Sequence, residues 1–117
     1  MENMENRMDF SVMWENEKTA DVHVDGSKVI IKRYVLHPAK QIFCKDEMTR
    51  YELGQIMRTR CWDEHRDGLK RLLKAIGLSE YNPYEICRKT HGVMFQDKIW
   101  FCYKGEQLSY EDVAIKR

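Results

Sequence analysis

Residues 66–95 read RDGLKRLLKAIGLSEYNPYEICRKTHGVMF, and this stretch predicts a helix, a second, shorter helix and the start of a strand. Four apolar residues at helical spacing form one stripe along the first helix: Leu69, Leu72, Leu73 and Ile76. Gly77 suits the left-handed position that ends many helices, and Leu78 after it supplies the hydrophobic contact of a Schellman ending. Asn82 followed by Pro83 predicts the start of the second helix, because Asn caps well and Pro fits the first helical position.

The chain before this stretch has the alternation of half-buried strands. Strands are predicted over 10–14, 20–24 and 28–35, with a turn at 15–18 and a tight turn at Asp25-Gly26, where Gly accepts a positive φ. Asp46 or Thr49 is predicted to cap a helix that carries four apolar residues: Met48, Leu53, Ile56 and Met57. Gly54 weakens that helix by about 1 kcal/mol relative to Ala.

After the short helix, residues 93–95 and 98–103 are predicted to form a hairpin across Gln96-Asp97. The predicted fold is therefore α+β: a small antiparallel sheet, made of an N-terminal meander and a C-terminal hairpin, packed against two to three helices. Residues 1–8 are predicted to be disordered, and residues 9–117 to form a single domain.

The composition is that of an ordinary globular protein, with 43% hydrophobic and 33% charged residues among 117 and a net charge of +1. No apolar run approaches the ~20 residues of a membrane span. The N-terminus lacks the apolar segment of a secretory signal, so a cytoplasmic location is expected, with no membrane partner. Four scattered cysteines are then expected to be free thiols. No cofactor is predicted.

Two segments, VMWENEKTADVHV at 12–24 and YNPYEICRKTHGVMF at 81–95, resemble the small N-terminal subdomain of the HipA-type Ser/Thr kinases of toxin–antitoxin systems. The similarity covers residues 9–103 in the order of elements and is residue-specific from about Cys61 to Phe95. HPAKQIFC at 37–44 departs from the family's leucine-rich segment, and RCWDE at 60–64 lacks the family's proline. The chain has no Gly-rich loop, His-Arg-Asp or Asp-Phe-Gly motif of a kinase.

The resemblance implies a free-standing, non-catalytic, antitoxin-like partner of a HipA-like kinase encoded in trans. It also implies association with a DNA-binding repressor through that complex. No enzyme activity is expected. The predicted contact residues surround Trp62 in a charged corner: Arg58, Arg60, Asp63, Glu64 and Arg66. Two interpretations of Trp62 stay open at this point, since the indole either folds inward over the apolar helix stripe or serves as an exposed binding anchor.

Three other hypotheses arise from the residues. Two Cys-x3-His pairs, Cys61/His65 and Cys87/His91, provide the ligand types of a zinc site, although the close Cys-x2-Cys spacing is missing. Eight basic residues between Arg58 and Lys89, with aromatic residues among them, suit nucleic-acid binding, but five acidic residues lie in the same segment. The third hypothesis is an inhibitor from a mobile element that binds another target, such as a defence nuclease.

Overall fold

The computed structural model describes residues 9–94 and 98–113 and contains five strands and four helices in these ranges. The strands are β1 (Phe10–Trp14), β2 (Glu17–Asp25), β3 (Lys28–Arg33), β4 (Glu47–Thr49) and β5 (Ile99–Tyr103). The helices are α1 (Arg50–Arg58), α2 (Leu69–Ala75), α3 (Pro83–Thr90) and α4 (Tyr110–Val113). The predicted α+β class with an antiparallel sheet is confirmed. The disorder predicted for residues 1–8 lies outside the described residues.

The strands form one antiparallel sheet in the order β4-β3-β2-β1-β5. Phe10 lies opposite Val22 of β2 and Tyr103 of β5, and all three side chains are buried. Because side chains alternate along a strand, the neighbouring pair of Ser11 and Asp21 lies on the other face. The sheet therefore has one apolar face towards the core and one more polar face.

The β1–β2 connection is shorter than the sequence indicates, since β2 begins at Glu17 rather than at residue 20. The pairing register shifts between Val12 and Met13, which leaves Thr19 as an extra residue in β2. The Thr19 side chain is buried, and its Oγ1 donates a hydrogen bond to the Val12 carbonyl oxygen at 3.1 Å. This bulge lets a buried polar residue be satisfied within the sheet.

Helices α1 and α3 cover the apolar face of the sheet, with Leu53 and Met57 of α1 and Cys87 of α3 in the core. The two helices approach closely at Gly54, where an added Cβ would lie 2.9 Å from the Tyr84 hydroxyl oxygen. The Tyr84 hydroxyl also hydrogen-bonds the carbonyl group at the start of α1. The glycine that weakens α1 as an isolated helix thus makes room for α3.

The helix ends follow local sequence signals. Thr49 and Glu52 form a capping box, in which each side chain bonds the other residue's backbone N–H. Met48 precedes this cap and belongs to β4, so its predicted place in the helix is wrong. The C-terminus of α2 is a Schellman motif: Gly77 has φ +83°, and the Leu78 N–H donates to the Leu73 carbonyl at 2.8 Å.

The predicted C-terminal hairpin is wrong in its pairing. β5 pairs with β1, and within the described residues Val93 and Met94 are not part of a strand. The rest of the predicted hairpin, residues 95–97, lies outside the described part of the chain. The chain leaves α3 through two left-handed residues, His91 at φ 58° and Gly92 at φ 63°, which turn it along the outer edge of β5.

Three backbone groups on that outer edge are occupied by groups from outside the sheet. The Phe101 N–H donates to the His91 carbonyl at 2.7 Å, and the Tyr103 N–H donates to the Glu106 carboxylate at 2.8 Å. The Ile99 carbonyl accepts a hydrogen bond from a buried arginine, described below. These contacts take the place of the ladder that a hairpin partner would supply.

Candidate functional site

The predicted contact residues lie at the end of α1 and in the segment that leads from α1 to α2, and the first anchor of this corner is Arg60. This side chain is 7% exposed. Its Nε donates to the Gly92 carbonyl at 3.0 Å, and its Nη2 donates to the Ile99 carbonyl at 2.9 Å. Arg60 therefore ties the corner to the turn after α3 and to the edge of β5. Its guanidinium is therefore buried, although Arg60 was predicted to be a contact residue.

A second anchor holds the corner at Trp62. The Tyr81 hydroxyl, from the segment before α3, donates to the Trp62 carbonyl at 2.8 Å. The Trp62 side chain itself is partly buried. It lines a cleft of about 500 Å³ together with Arg66, Met94 and Val113. Its backbone is thus fixed, while part of the indole stays accessible from the cleft; whether it serves as a binding anchor remains a prediction.

The charged residues of the corner are ordered by local contacts. Arg58 Nη1 lies 3.0 Å from Glu64 Oε1, and the Arg58 guanidinium lies over the Tyr81 ring at 5.4 Å from its centroid. Asp63 Oδ1 accepts a hydrogen bond from the His65 backbone N–H at 2.8 Å. We call the accessible part of this region the corner surface, and it consists of five residues: Arg58, Trp62, Asp63, Glu64 and Arg66.

The four candidate zinc ligands do not come together. Cys61 and Cys87 are neighbours, but His91 Nε2 lies 2.9 Å from Glu106 Oε2, and His65 is exposed. Within residues 9–94 and 98–113, no group of three or more His, Cys, Asp or Glu side chains is placed to hold a metal ion. The structure therefore does not assemble the zinc site that the Cys-x3-His spacing indicates.

The polar face of the sheet contains a hydrogen-bonded network for which the sequence carries no recognisable motif. Asp21 accepts hydrogen bonds from Ser11 Oγ at 2.5 Å and from the Tyr34 hydroxyl at 2.6 Å. Burial alone would raise the pKa of Asp21, but these bonds, together with a nearby lysine, lower it. His23 pairs separately with Asp9 at 2.8 Å. The only signal in the sequence was polar residues at alternate strand positions.

This network does not have the connectivity of a nucleophilic triad. The Ser11 hydroxyl donates to a carboxylate rather than to an imidazole, and the His23 ring bonds a different carboxylate. A shallow cleft of about 440 Å³ lies beside these residues on the sheet face. The arrangement stabilises the pairing of β1, β2 and the segment after β3.

The basic segment identified in the sequence is only partly available for phosphate contacts. Arg60 is buried, and the Arg88 guanidinium lies over the Tyr103 ring at 5.2 Å from its centroid. Arg58 is already paired with Glu64. The exposed bases that remain include Lys70, Arg71 and Lys74 of α2. Three of the eight bases counted in the sequence therefore have intramolecular roles.

Among the helices of the described residues, none combines the length and the apolar character that crossing a membrane requires. All four cysteines are free thiols. Comparison with known proteins gives no match: no family model, no curated protein and no solved structure matches this chain.

Proposed function

We propose that this chain is a non-catalytic, antitoxin-like protein that binds a HipA-like Ser/Thr kinase encoded in trans, and that the corner surface makes the contact. One observation carries the choice of surface: an accessible tryptophan stands on a backbone held by a buried arginine and a tyrosine hydroxyl. The choice of partner comes from the sequence resemblance at residues 61–95. A cytoplasmic location and a repressor recruited through the complex belong to the same proposal.

The physical argument for the corner surface is preorganisation. A binding surface loses less conformational entropy on association when its backbone and side chains are already ordered. Arg60 and Tyr81 fix the backbone on both sides of Trp62, and the Arg58–Glu64 pair orders the neighbouring charges. Tryptophan and arginine are the side chains most often found at the energetic centre of an interface. The mechanism is steric: the corner packs onto the kinase and limits its motion or access.

The proposal is tested by co-expressing the tagged chain with a HipA-like kinase and measuring co-purification and relief of kinase toxicity. Trp62→Ala is expected to weaken binding by about 30-fold or more, as for an interface hot spot. Tyr51→Ala is the matched control, because Tyr51 is an aromatic residue that is 75% exposed on α1, outside the corner. Circular dichroism of both variants checks that each still folds.

A second variant protects the test against a folding defect. Arg66 is exposed and lines the cleft, so Arg66→Glu changes the charge of the corner surface without removing a buried group. It is expected to weaken binding and leave the melting temperature nearly unchanged. If the chain and the kinase fail to co-purify at moderate salt, the proposal is wrong.

Binding experiments with the same chain and its Trp62→Ala variant would also distinguish the two alternative functions. Binding to bare DNA or RNA that falls steeply with salt would indicate a nucleic-acid protein. Capture of a nuclease, lost with Trp62→Ala, would keep the corner surface but replace the kinase with the target of a mobile-element inhibitor.

A further inference from the structure

Two of the four cysteines lie side by side in the fold, although they are far apart in sequence. Cys61 follows α1 and Cys87 lies within α3, and their thiols are close enough for each to shift the pKa of the other. Cys87 is fully buried, with its Sγ 3.4 Å from the Met57 carbonyl oxygen and 4.0 Å from that of Arg60. Cys61 is partly exposed and lines the cleft beside Trp62.

The two thiols have opposite electrostatic environments. The contacts of Cys61 with the Cys87 thiol and the Tyr81 hydroxyl, together with the charge of Arg58, lower the pKa of Cys61 to about 7, against the effect of partial burial. The contact with Cys61 and burial raise the pKa of Cys87. Near neutral pH, Cys61 therefore has substantial thiolate character, while Cys87 remains a thiol. Accessibility and thiolate character together favour reaction at Cys61.

We propose that Cys61 is an oxidation site for small hydroperoxides and that Cys87 is its resolving thiol, so that the two form a reversible disulfide. The inference rests on the adjacency of the two sulfurs and on the exposure of only one of them to the cleft. It does not depend on the identity of any protein partner. The cleft admits a small oxidant to Cys61, and the neighbouring buried thiol is within reach of the oxidised sulfur.

The chemistry has two steps. The Cys61 sulfur attacks one oxygen of the peroxide: an S–O bond forms, the O–O bond breaks, and the other oxygen leaves as hydroxide and is protonated to water. The product is a sulfenic acid. The Cys87 sulfur then attacks the Cys61 sulfur, an S–S bond forms, and the S–O bond breaks. The departing hydroxide takes the proton of the Cys87 thiol, so two thiols and one hydrogen peroxide give one disulfide and two waters.

The remaining two cysteines provide internal comparisons. Cys44 is exposed on the surface, and the Cys102 Sγ lies 3.7 Å from the Glu106 carbonyl, with its pKa raised by burial. A chain with Cys44→Ser and Cys102→Ser together contains only the proposed pair. It keeps every residue of the proposed oxidation site and is therefore the matched control.

The test uses the purified, reduced full chain with a small molar excess of hydrogen peroxide near neutral pH. Remaining thiols are alkylated with iodoacetamide, and intact mass and peptide mapping follow. The expected result is two fewer alkylated cysteines than in the untreated reduced chain, a cross-linked peptide joining Cys61 to Cys87, and reversal by a thiol reductant. The chain that lacks Cys44 and Cys102 is expected to behave in the same way, and its oxidised form to unfold at higher urea concentration.

Two single variants separate the roles of the pair. Cys61→Ser is expected to abolish the intramolecular disulfide, whereas Cys87→Ser is expected to leave Cys61 as a sulfenic acid that a 1,3-dione probe traps. The cross-link map of the unaltered chain keeps the test decisive if Cys87→Ser fails to fold. The proposal is overturned if Cys61 reacts with peroxide no faster than Cys44, or if no cross-link to Cys87 appears.

Discussion

Gly92 is the residue at which we expect a single methyl group to disturb both the core and the support of the corner. It has φ +63° and is buried, and an added Cβ would lie 2.7 Å from Phe101 Cδ2 and 2.8 Å from its Cε2. Phe101 cannot move easily, because it is fully buried and its ring lies 4.7 Å from that of Phe10. The Gly92 carbonyl also accepts the hydrogen bond from Arg60.

The magnitude for Gly92→Ala has two parts. A left-handed conformation costs about 1–2 kcal/mol for a residue with a Cβ. Forcing an extra methyl against a packed ring costs about 1–3 kcal/mol more. The sum is about 2–5 kcal/mol, a large fraction of the about 5–15 kcal/mol by which a small domain is stable. The variant is therefore expected to be marginally folded.

Gly26→Ala measures the conformational part alone, so the difference between Gly92→Ala and Gly26→Ala gives the steric part. Gly26 also has φ +63°, but nothing lies within 4 Å of the position of its missing Cβ. Equilibrium urea unfolding, followed by circular dichroism, should show Gly26→Ala losing only the conformational part, about 1–2 kcal/mol. Combining Gly92→Ala with Phe101→Leu should cost less than the sum of the two single changes. Equal losses for Gly26→Ala and Gly92→Ala would refute the argument from the Phe101 contact.

Three further outcomes are expected. Arg60→Met should lower the free energy of unfolding by about 2–4 kcal/mol, because two buried carbonyls lose a charged donor; a loss under about 1 kcal/mol in urea unfolding would contradict this. Tyr103→Phe should leave stability unchanged or raise it by up to about 1 kcal/mol, since the buried hydroxyl has no hydrogen-bond partner among the described residues; a clear loss in the same assay would show that it has one. Because the pKa of Asp21 is lowered on folding, its ionised carboxylate stabilises the folded state. This contribution to the free energy of unfolding is fully present above the ordinary pKa of 3.8 and is lost as pH falls through the folded-state pKa. Asp21→Asn should therefore flatten the acid side of the stability–pH profile measured by thermal melts, and an unchanged acid side would exclude that role.

The local parts of the fold were predictable because their signals lie within a few residues. Asp25-Gly26 joins β2 and β3, Asn82 caps α3 with bonds from the backbone N–H groups at 84 and 85, and Gly77 ends α2. In each case, one residue type has the required backbone conformation or side-chain acceptor. These choices do not depend on the rest of the chain, so the sequence pattern is sufficient.

The pairing of β5 could not be predicted in the same way. The side chains of residues 99–103 point to alternate faces whichever strand they pair with, so their sequence does not identify the partner. In the structure the partner is β1, about ninety residues earlier in the chain, with Phe10 opposite Tyr103. The pairing of β5 depends on His91 and Gly92, which turn the chain after α3, and on Arg60, which hydrogen-bonds the Ile99 carbonyl at the outer edge of β5. That information is distributed over three distant segments, and a hairpin was the simplest local solution.

In the candidate site, too, the local features were predictable from the sequence and the long-range contacts were not. The corner and its charged residues were visible in the sequence, but the burial of Arg60 was not, because arginine is rarely buried and nothing nearby in sequence indicates its two acceptors. The adjacency of Cys61 and Cys87 was also hidden, since it depends on how α3 packs against the end of α1. Spacing of the two Cys-x3-His pairs suggested a metal site, and the packing brings only the two sulfurs together.

The edges of the sheet affect how this protein associates with others. On β5, three outward backbone groups are already bonded, and on the opposite side β4 is only three residues long. Among residues 9–94 and 98–113, neither edge offers the long row of free N–H and C=O groups that templates an added strand in β-augmentation or in edge-to-edge aggregation. A partner of this chain would therefore be recognised by side chains, and the sheet is poorly suited to recruiting copies of itself by strand exchange.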